Sequence, residues 1–258
     1  MRVKEIFIVT KGTKVILAIT FSVSMLALAF AFFYYRNINL SEDPRIKKAR
    51  EFLLQYEKVS GKITSYTYFP LLDSANAIFR SFPDYASSFE TGLIYNNKSS
   101  ALLIVAIYDS SVIDSEKSML LSLSMRYCDS SISTYRGWIE EWDNQSADAI
   151  AERLRSHMKK DHPAFIGLNF NKIFSRRVKN MITAQVETPR RLSVSLTNKG
   201  TIYRHMMLPD SSLICYQEAL ALWKDNRQAK SNMNVLLGGE PVKPTLIESL
   251  FPPDKNRE

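Results

Sequence analysis

Residues 197–226 read TNKGTIYRHMMLPDSSLICYQEALALWKDN, and a chain with only eight glycines spends one of them at Gly200. Tyr203, Ser212, Tyr216 and Ala219 follow it. The spacing suits two short helices packed back to back. Gly200, Ser212 and Ala219 remove side-chain bulk where the helices must approach, and Tyr203 and Tyr216 fill the volume on either side. The segment MLPD between them supplies the turn.

The same forms occur earlier in the chain. GLIY at Gly92–Tyr95 echoes GTIY at Gly200–Tyr203, and SISTY at Ser131–Tyr135 echoes SLICY at Ser212–Tyr216. The halves lie 39 residues apart in the first case and 12 in the second, so the earlier pair predicts an enlarged or inserted helix. Over 193–226 the chain resembles a tetratricopeptide repeat, the helix–turn–helix unit of about 34 residues. Lys199 stands where that motif prefers leucine, and Lys224 where it prefers proline.

The resemblance implies an α-solenoid of antiparallel helix pairs, each burying its face against a neighbour. It further implies protein–protein interaction or scaffolding, with the ligand lying against the first helix of each pair. In the frame set by Gly200, the partner-binding positions are then Thr197, Thr201, Arg204 and His205. Asn96 and Asn97 match the last two in the frame set by Gly92. These polar and charged side chains suit an acidic or C-terminal peptide.

Between Lys14 and Arg36 lie 21 residues without a charge, VILAITFSVSMLALAFAFFYY. A helix of that length covers about 30 Å, the hydrocarbon thickness of a bilayer. Tyr34 and Tyr35 stand at its end, where amphipathic rings favour the headgroup level. The small-x-small triplets Ala27-Leu28-Ala29 and Ala29-Phe30-Ala31 keep a cleaved signal peptide open as the alternative. The run is longer than a usual signal core, and cleavage would leave FFYY at a new terminus, so residues 15–35 are read as a single-pass anchor. The tail 1–14 and residues 36–50 are both basic, but a short basic tail usually stays cytoplasmic. That expectation places the rest of the chain outside the cytoplasm.

A polar linker, 36–43, leads to an all-α domain over 44–237, and two glycines and several prolines mark a looser tail over 238–258. Helical periodicity recurs near 44–61, 70–83, 86–108, 114–142, 146–160, 164–181, 189–206, 210–223 and 227–237. Cys128 and Cys215, the only cysteines, fall in these helices and read as small buried thiols, or as a single bridge in an oxidising compartment.

The basic character is local. Residues 153–191 hold ten Lys or Arg against Asp161 and Glu187, a surplus equal to the formal net charge of +8 on the whole chain. Taken as a helix, 166–181 sets Ile166, Phe170, Ile173, Phe174, Val178 and Met181 on one face, with Lys172, Arg176 and Lys179 opposite. A binding role for that patch requires the charges of 153–160 and 190–191 to converge on it in space. Acidic protein, anionic glycan or lipid headgroup would fit such a site. A membrane tether without a nucleic-acid motif speaks against nucleic acid.

Catalytic signals are weak. The three histidines are His157, His162 and His205; the first two are five apart, out of register for an i, i+4 zinc pair. The chain has no phosphate-binding glycine loop, no nucleophile elbow and no Cys–His pair at family spacing. No cofactor or metal is expected. The rival to a scaffold is a membrane-tethered all-α enzyme with an unrecognised site.

Overall fold

The computed structural model describes residues 10–39 and 41–243. Arg2, Lys4 and Glu5 of the basic tail, Leu40 of the linker and residues 244–258 lie outside them. The described residues form α-helices and three short 3₁₀ turns, with no strand among them.

Helix α1 (Lys11–Asn39) contains the uncharged run. Its stretch Lys11–Tyr35, with a mean hydropathy of 2.4, is long and apolar enough to cross a membrane, and none of it is buried against the rest of the protein. A 3₁₀ turn at Pro44–Ile46 follows, capped by Asp43, whose Oδ1 accepts the Arg45 N–H at 3.0 Å. Then come α2 (Lys47–Glu57), α3 (Phe69–Arg80), the single turn α4 (Pro83–Ala86), α5 (Phe89–Tyr108) and α6 (Asp114–Trp142). After these come α7 (Ala147–His157), α8 (Phe170–His205), α9 (Pro209–Leu222) and α10 (Arg227–Leu236). Ser146, Asn169 and Asn226 cap α7, α8 and α10 through their side chains, satisfying N–H groups that a first turn leaves without partners.

Three pairs stack in series: α2 with α3, α5 with α6, and α8 with α9. Helix α3 packs on α5, α6 packs on α8, and α10 covers the end of the last pair. Three apolar clusters result. Leu72, Phe79, Tyr56 and Ile94 fill the first, Trp138, Leu154 and Phe174 the second, and Leu103, Tyr135, Leu196 and Ile202 the third.

The two echoes build the same crossing. A Cβ at Gly92 would stand 2.5 Å from Tyr135 Cε1, and one at Gly200 would stand 2.5 Å from Tyr216 Cε1. Ser131 Oγ donates to the Gly92 carbonyl at 2.9 Å, and Ser212 Oγ donates to that of Gly200 at 2.7 Å. Ile94 and Ile202, each two residues past the glycine, are both fully buried. The longer separation in the first pair needs no inserted helix. Helix α5 runs 16 residues beyond Gly92 and α6 runs 17 before Ser131, against five and three in the second pair. The longer arms repeat the contact seven residues on, where Ser124 Oγ donates to the Ser99 carbonyl at 2.8 Å. Small residues at heptad spacing keep the arms close.

Two expectations need correction. The helices read at 164–181 and 189–206 are one, α8, which continues through Pro189. Proline withholds the N–H that the Gln185 carbonyl would accept, but Ala184, Thr188 and Leu192 are buried around it, so packing holds the helix together. Ile166 does not join its apolar face. The helix starts at Phe170, Gly167 turns the chain at φ +75°, and Ile166 is 80% exposed.

Candidate partner-binding groove

The basic segment divides according to where its cations go. Arg177 is fully interior. It donates to Glu90 Oε1 at 2.6 Å and to the Asp84 carbonyl at 2.8 Å, and lies 3.9 Å over the Tyr85 ring. Beside it, Arg45 bridges Asp43 (2.8 Å) and Asp84 (2.7 Å), all three side chains almost wholly buried. Burial alone would lower the Arg45 pKa, but the two carboxylates reverse that and hold it above its ordinary value. Tyr85 Oη donates to Asp43 Oδ2 at 3.2 Å. This cluster ties the segment following α1 to α4, α5 and α8. Charges buried together this way must be paired, since removing one partner strands the other. The sequence reading missed it because Arg45 meets Asp84 across 39 residues and Arg177 meets Glu90 across 87.

Other cations are committed locally. Arg153 pairs with Glu141 and lies over the Trp142 ring, Arg155 lies over Phe174, and Arg190 pairs with Glu187. Arg176 and Lys179 instead line one groove of about 340 Å³ with Arg50 of α2 and with Arg191, which also lies 6.0 Å over the Phe89 ring. Its other walls are Phe89, Glu90 and Leu93 of α5 and Asn180, Thr183, Ala184 and Glu187 of α8. The first helices of all three pairs therefore contribute. Arg176, Arg191 and Arg50 are half-buried, while Lys179 is exposed. The convergence asked of 190–191 occurs through Arg191, because the unbroken α8 puts it in line with Arg176 and Lys179. The cations of 153–160 and Lys172 do not line the groove.

The positions implied by the repeat frame separate in the structure. Thr197 and Thr201 are buried beneath α10: Asn226 Nδ2 donates to Thr197 Oγ1 at 2.9 Å, and Asn232 Nδ2 donates to Thr201 Oγ1 at 3.1 Å. Asn96 is spent on the neighbouring pair, its amide oxygen accepting from Ser195 Oγ (2.9 Å) and Asn198 Nδ2 (3.1 Å). The backbone carbonyl of Asn97 accepts the Tyr56 hydroxyl at 3.4 Å. Arg204 and His205 are half-buried at the C-terminal end of α8. His205 Nε2 is buried without a hydrogen-bond partner, and burial, followed by the Arg204 and Lys117 charges, holds its pKa below the usual histidine value. The packing residues fall at the crossing already described: Gly200, Ser212 and Tyr216 in contact, Ala219 fully buried, and Tyr203 half-buried, its carbonyl accepting the Leu208 N–H.

Cys128 and Cys215 are free and buried. Burial pushes their thiols up, to about 12 and about 11, so both stay protonated at neutral pH. His157 Nδ1 lies 2.9 Å from Ser156 Oγ on the exposed end of α7. His162 caps the turn at Pro163 by accepting the Ala164 N–H. No cluster of three metal-ligating side chains occurs among the described residues. The fold and groove define an all-helical protein with a helix of membrane-spanning length at one end and stacked helix pairs beyond it. No family model, curated protein or solved structure matches the chain.

Proposed function

We propose that this protein is a single-pass, membrane-anchored module of tetratricopeptide-like helix pairs that binds a protein or peptide partner, with its helical domain outside the cytoplasm. One observation carries the reading. The same Gly–Tyr–Ser crossing is built twice, at Gly92–Tyr135–Ser131 and Gly200–Tyr216–Ser212. Pairs related this way leave first helices side by side, a surface that repeat architectures use for binding. The fully exposed apolar surface of α1 supports the anchor, since so large a patch is stable only when lipid or protein covers it.

The test places a photo-crosslinking residue at Leu93, in the groove, in the full-length chain in its native membrane. A discrete protein adduct, absent when the same residue replaces Glu152 on the exposed side of α7, is the expected result. Adducts with lipid alone, or none, would refute partner binding at this surface. Release of the uncleaved chain by alkaline carbonate would refute the anchor.

A further inference from the structure

We infer that the loop between α7 and α8, residues 158–169, is a second point of membrane contact, where Ile166 and Leu168 enter the lipid interface and Lys159 and Lys160 hold acidic phospholipid headgroups. This rests on the anchor proposed above and is separate from the groove. The geometry starts where the chain leaves the bilayer. With Tyr35 at the headgroup level, α1 runs four residues further, to Asn39, about 6 Å along its axis. Ser41, two residues on, is already buried in the domain, as is Asp43. Two extended residues reach about 7 Å, so the domain surface at Ser41 stands within about 13 Å of the headgroups. The α7–α8 loop packs against that exit. Its turn Pro163–Phe165 meets the turn Pro44–Ile46, and the Arg45 guanidinium lies 5.2 Å over the Phe165 ring. Phe82 joins the two, 5.0 Å from that guanidinium and 6.1 Å from the His162 ring.

The loop is held from within by Met158 and Phe165, both buried. Outside it stand Ile166, 80% exposed, and Leu168, 44% exposed, on either side of the left-handed turn at Gly167. Aliphatic side chains left in water beside a bilayer gain by entering the interface, and the gain grows with apolar area and with attraction to acidic lipid. The charges favour the same layer. From Arg155 to Lys172 the chain carries Arg155, Lys159, Lys160 and Lys172 against Asp161. Lys159 and Lys160 are exposed, with no carboxylate paired to them among the described residues. Lys47, the exposed first residue of α2, follows directly on the Pro44–Ile46 turn and adds to them. Lysine stems lie along apolar surface while their ammonium groups stay among polar headgroups. Exposed apolar residues also occur at the far end of the domain, Ile214 of α9 among them. There, however, α9 crosses α8 at Gly200, 30 residues along that helix from Phe170, or about 45 Å from the exit.

The experiment uses the full chain in nanodiscs of phosphatidylcholine mixed with phosphatidylglycerol, with a photo-crosslinking residue placed in turn at Ile166, at Leu26 of α1 and at Ile214. All three side chains are exposed in the protein, so the fold should tolerate each replacement. Leu26 and Ile166 should form lipid adducts, and Ile214 should form none. In Lys159→Glu/Lys160→Glu the lipid adducts from Ile166 should fall about fivefold or more, since each lysine near an acidic surface is worth about a factor of five. Both lysines are exposed, and an unchanged near-ultraviolet circular dichroism spectrum confirms that the variant is folded. Lipid adducts from Leu26 but none from Ile166 overturn the second contact and leave the anchor in place. Adducts from neither position overturn the anchor and this inference with it. Crosslinking of Ile166 to a second copy of the chain in place of lipid makes the loop an interface between copies, which also overturns the inference. An equal yield from the charge-reversed variant overturns the role given to the acidic headgroups.

Discussion

The pairs α5/α6 and α8/α9 share a crossing and differ in what stands next to it. Aligned on Gly92 and Gly200, Phe89 matches Thr197, Glu90 matches Asn198 and Leu93 matches Thr201. On the second helices, SISTYRGWIEEW matches SLICYQEALALW, with Trp138 opposite Ala219 and Trp142 opposite Trp223. In the second pair the small Thr197 and Ala219 admit α10, and Asn226 reaches Ser193 at 2.8 Å and Thr197 at 2.9 Å. In the first pair Phe89 and Trp138 meet edge to face at 5.6 Å, and Trp138 props the following helix, α7, through Ile150 and Leu154. The N-terminal half of α8 comes alongside α5 in its place, and the groove opens between them. Equal crossings thus give one closed seam and one open seam, according to two side-chain volumes beside each glycine.

The largest difference to test lies at Glu90 and Asn198. Arg177→Met strands Glu90 in the interior and should cost about 3–5 kcal/mol, against about 1 kcal/mol for the single hydrogen bond lost in Asn198→Ala. Thermal unfolding of the full chain, followed by near-ultraviolet circular dichroism, checks both. Similar losses from the two variants would mean that the buried charges of the first pair contribute no more than a neutral contact.

The crossings themselves should respond alike. Gly92→Ala and Gly200→Ala each drive a methyl into a tyrosine ring, an overpacking worth about 1–3 kcal/mol. At about 2–4 °C per kcal/mol for a domain of this size, both variants should melt visibly earlier. A loss at one glycine and none at the other would break the equivalence on which the repeat reading stands.

The sequence made the crossings legible because both partners of each contact sit in motifs of fixed spacing. The helix boundaries followed from proline, capping and periodicity, except in α8, which starts only at Phe170 and passes through Pro189. There tertiary burial of Ala184, Thr188 and Leu192 overrode a local breaker. The groove was half legible: Arg176 and Lys179 were visible as one face, while Arg50 and Arg191 join them only through packing of α2 and the continuity of α8. The Arg45–Asp43–Asp84 and Arg177–Glu90 pairs were illegible, since ion pairs between distant segments leave no periodic trace. Thr197 and Thr201 show the converse, positions fixed by motif frame whose exposure depended on where α10 settles.

Acid should separate the pairs next. His205 matches Asn97 in the frame, and only His205 titrates. Its pKa is held down in the folded state, so the unfolded chain binds its proton first as the pH falls. The stability tied to neutral His205 is therefore complete above its ordinary value near 6.5 and is lost as the pH drops below it. His205→Asn should remove that part of the acid dependence below about pH 6.5. An unchanged melting profile across that window would show that protonation of His205 is tolerated where it stands.

The smallest effect concerns the two turns. The connection from α8 to α9 takes three residues, Met206–Leu208, with Met207 left-handed at φ +61°. The Leu208 N–H donates to the Tyr203 carbonyl at 3.0 Å and the Met207 N–H to that of Arg204 at 3.1 Å, a pattern that favours glycine at the left-handed position. Met207 is 84% exposed, so its side chain contributes little packing to offset the strained backbone. Met207→Gly should therefore stabilise the chain, by about 0.5–1 kcal/mol, the strain relieved less the added freedom of glycine in the unfolded state. The turn from α5 to α6, Asp109–Ile113, has no residue at positive φ and is held by Asp109, whose Oδ1 accepts the Ser111 N–H at 2.9 Å. Ser111→Gly should accordingly lower stability slightly or leave it unchanged. A gain from glycine in the longer turn and none in the shorter would mean that the tight turn is not where the second pair stores its strain.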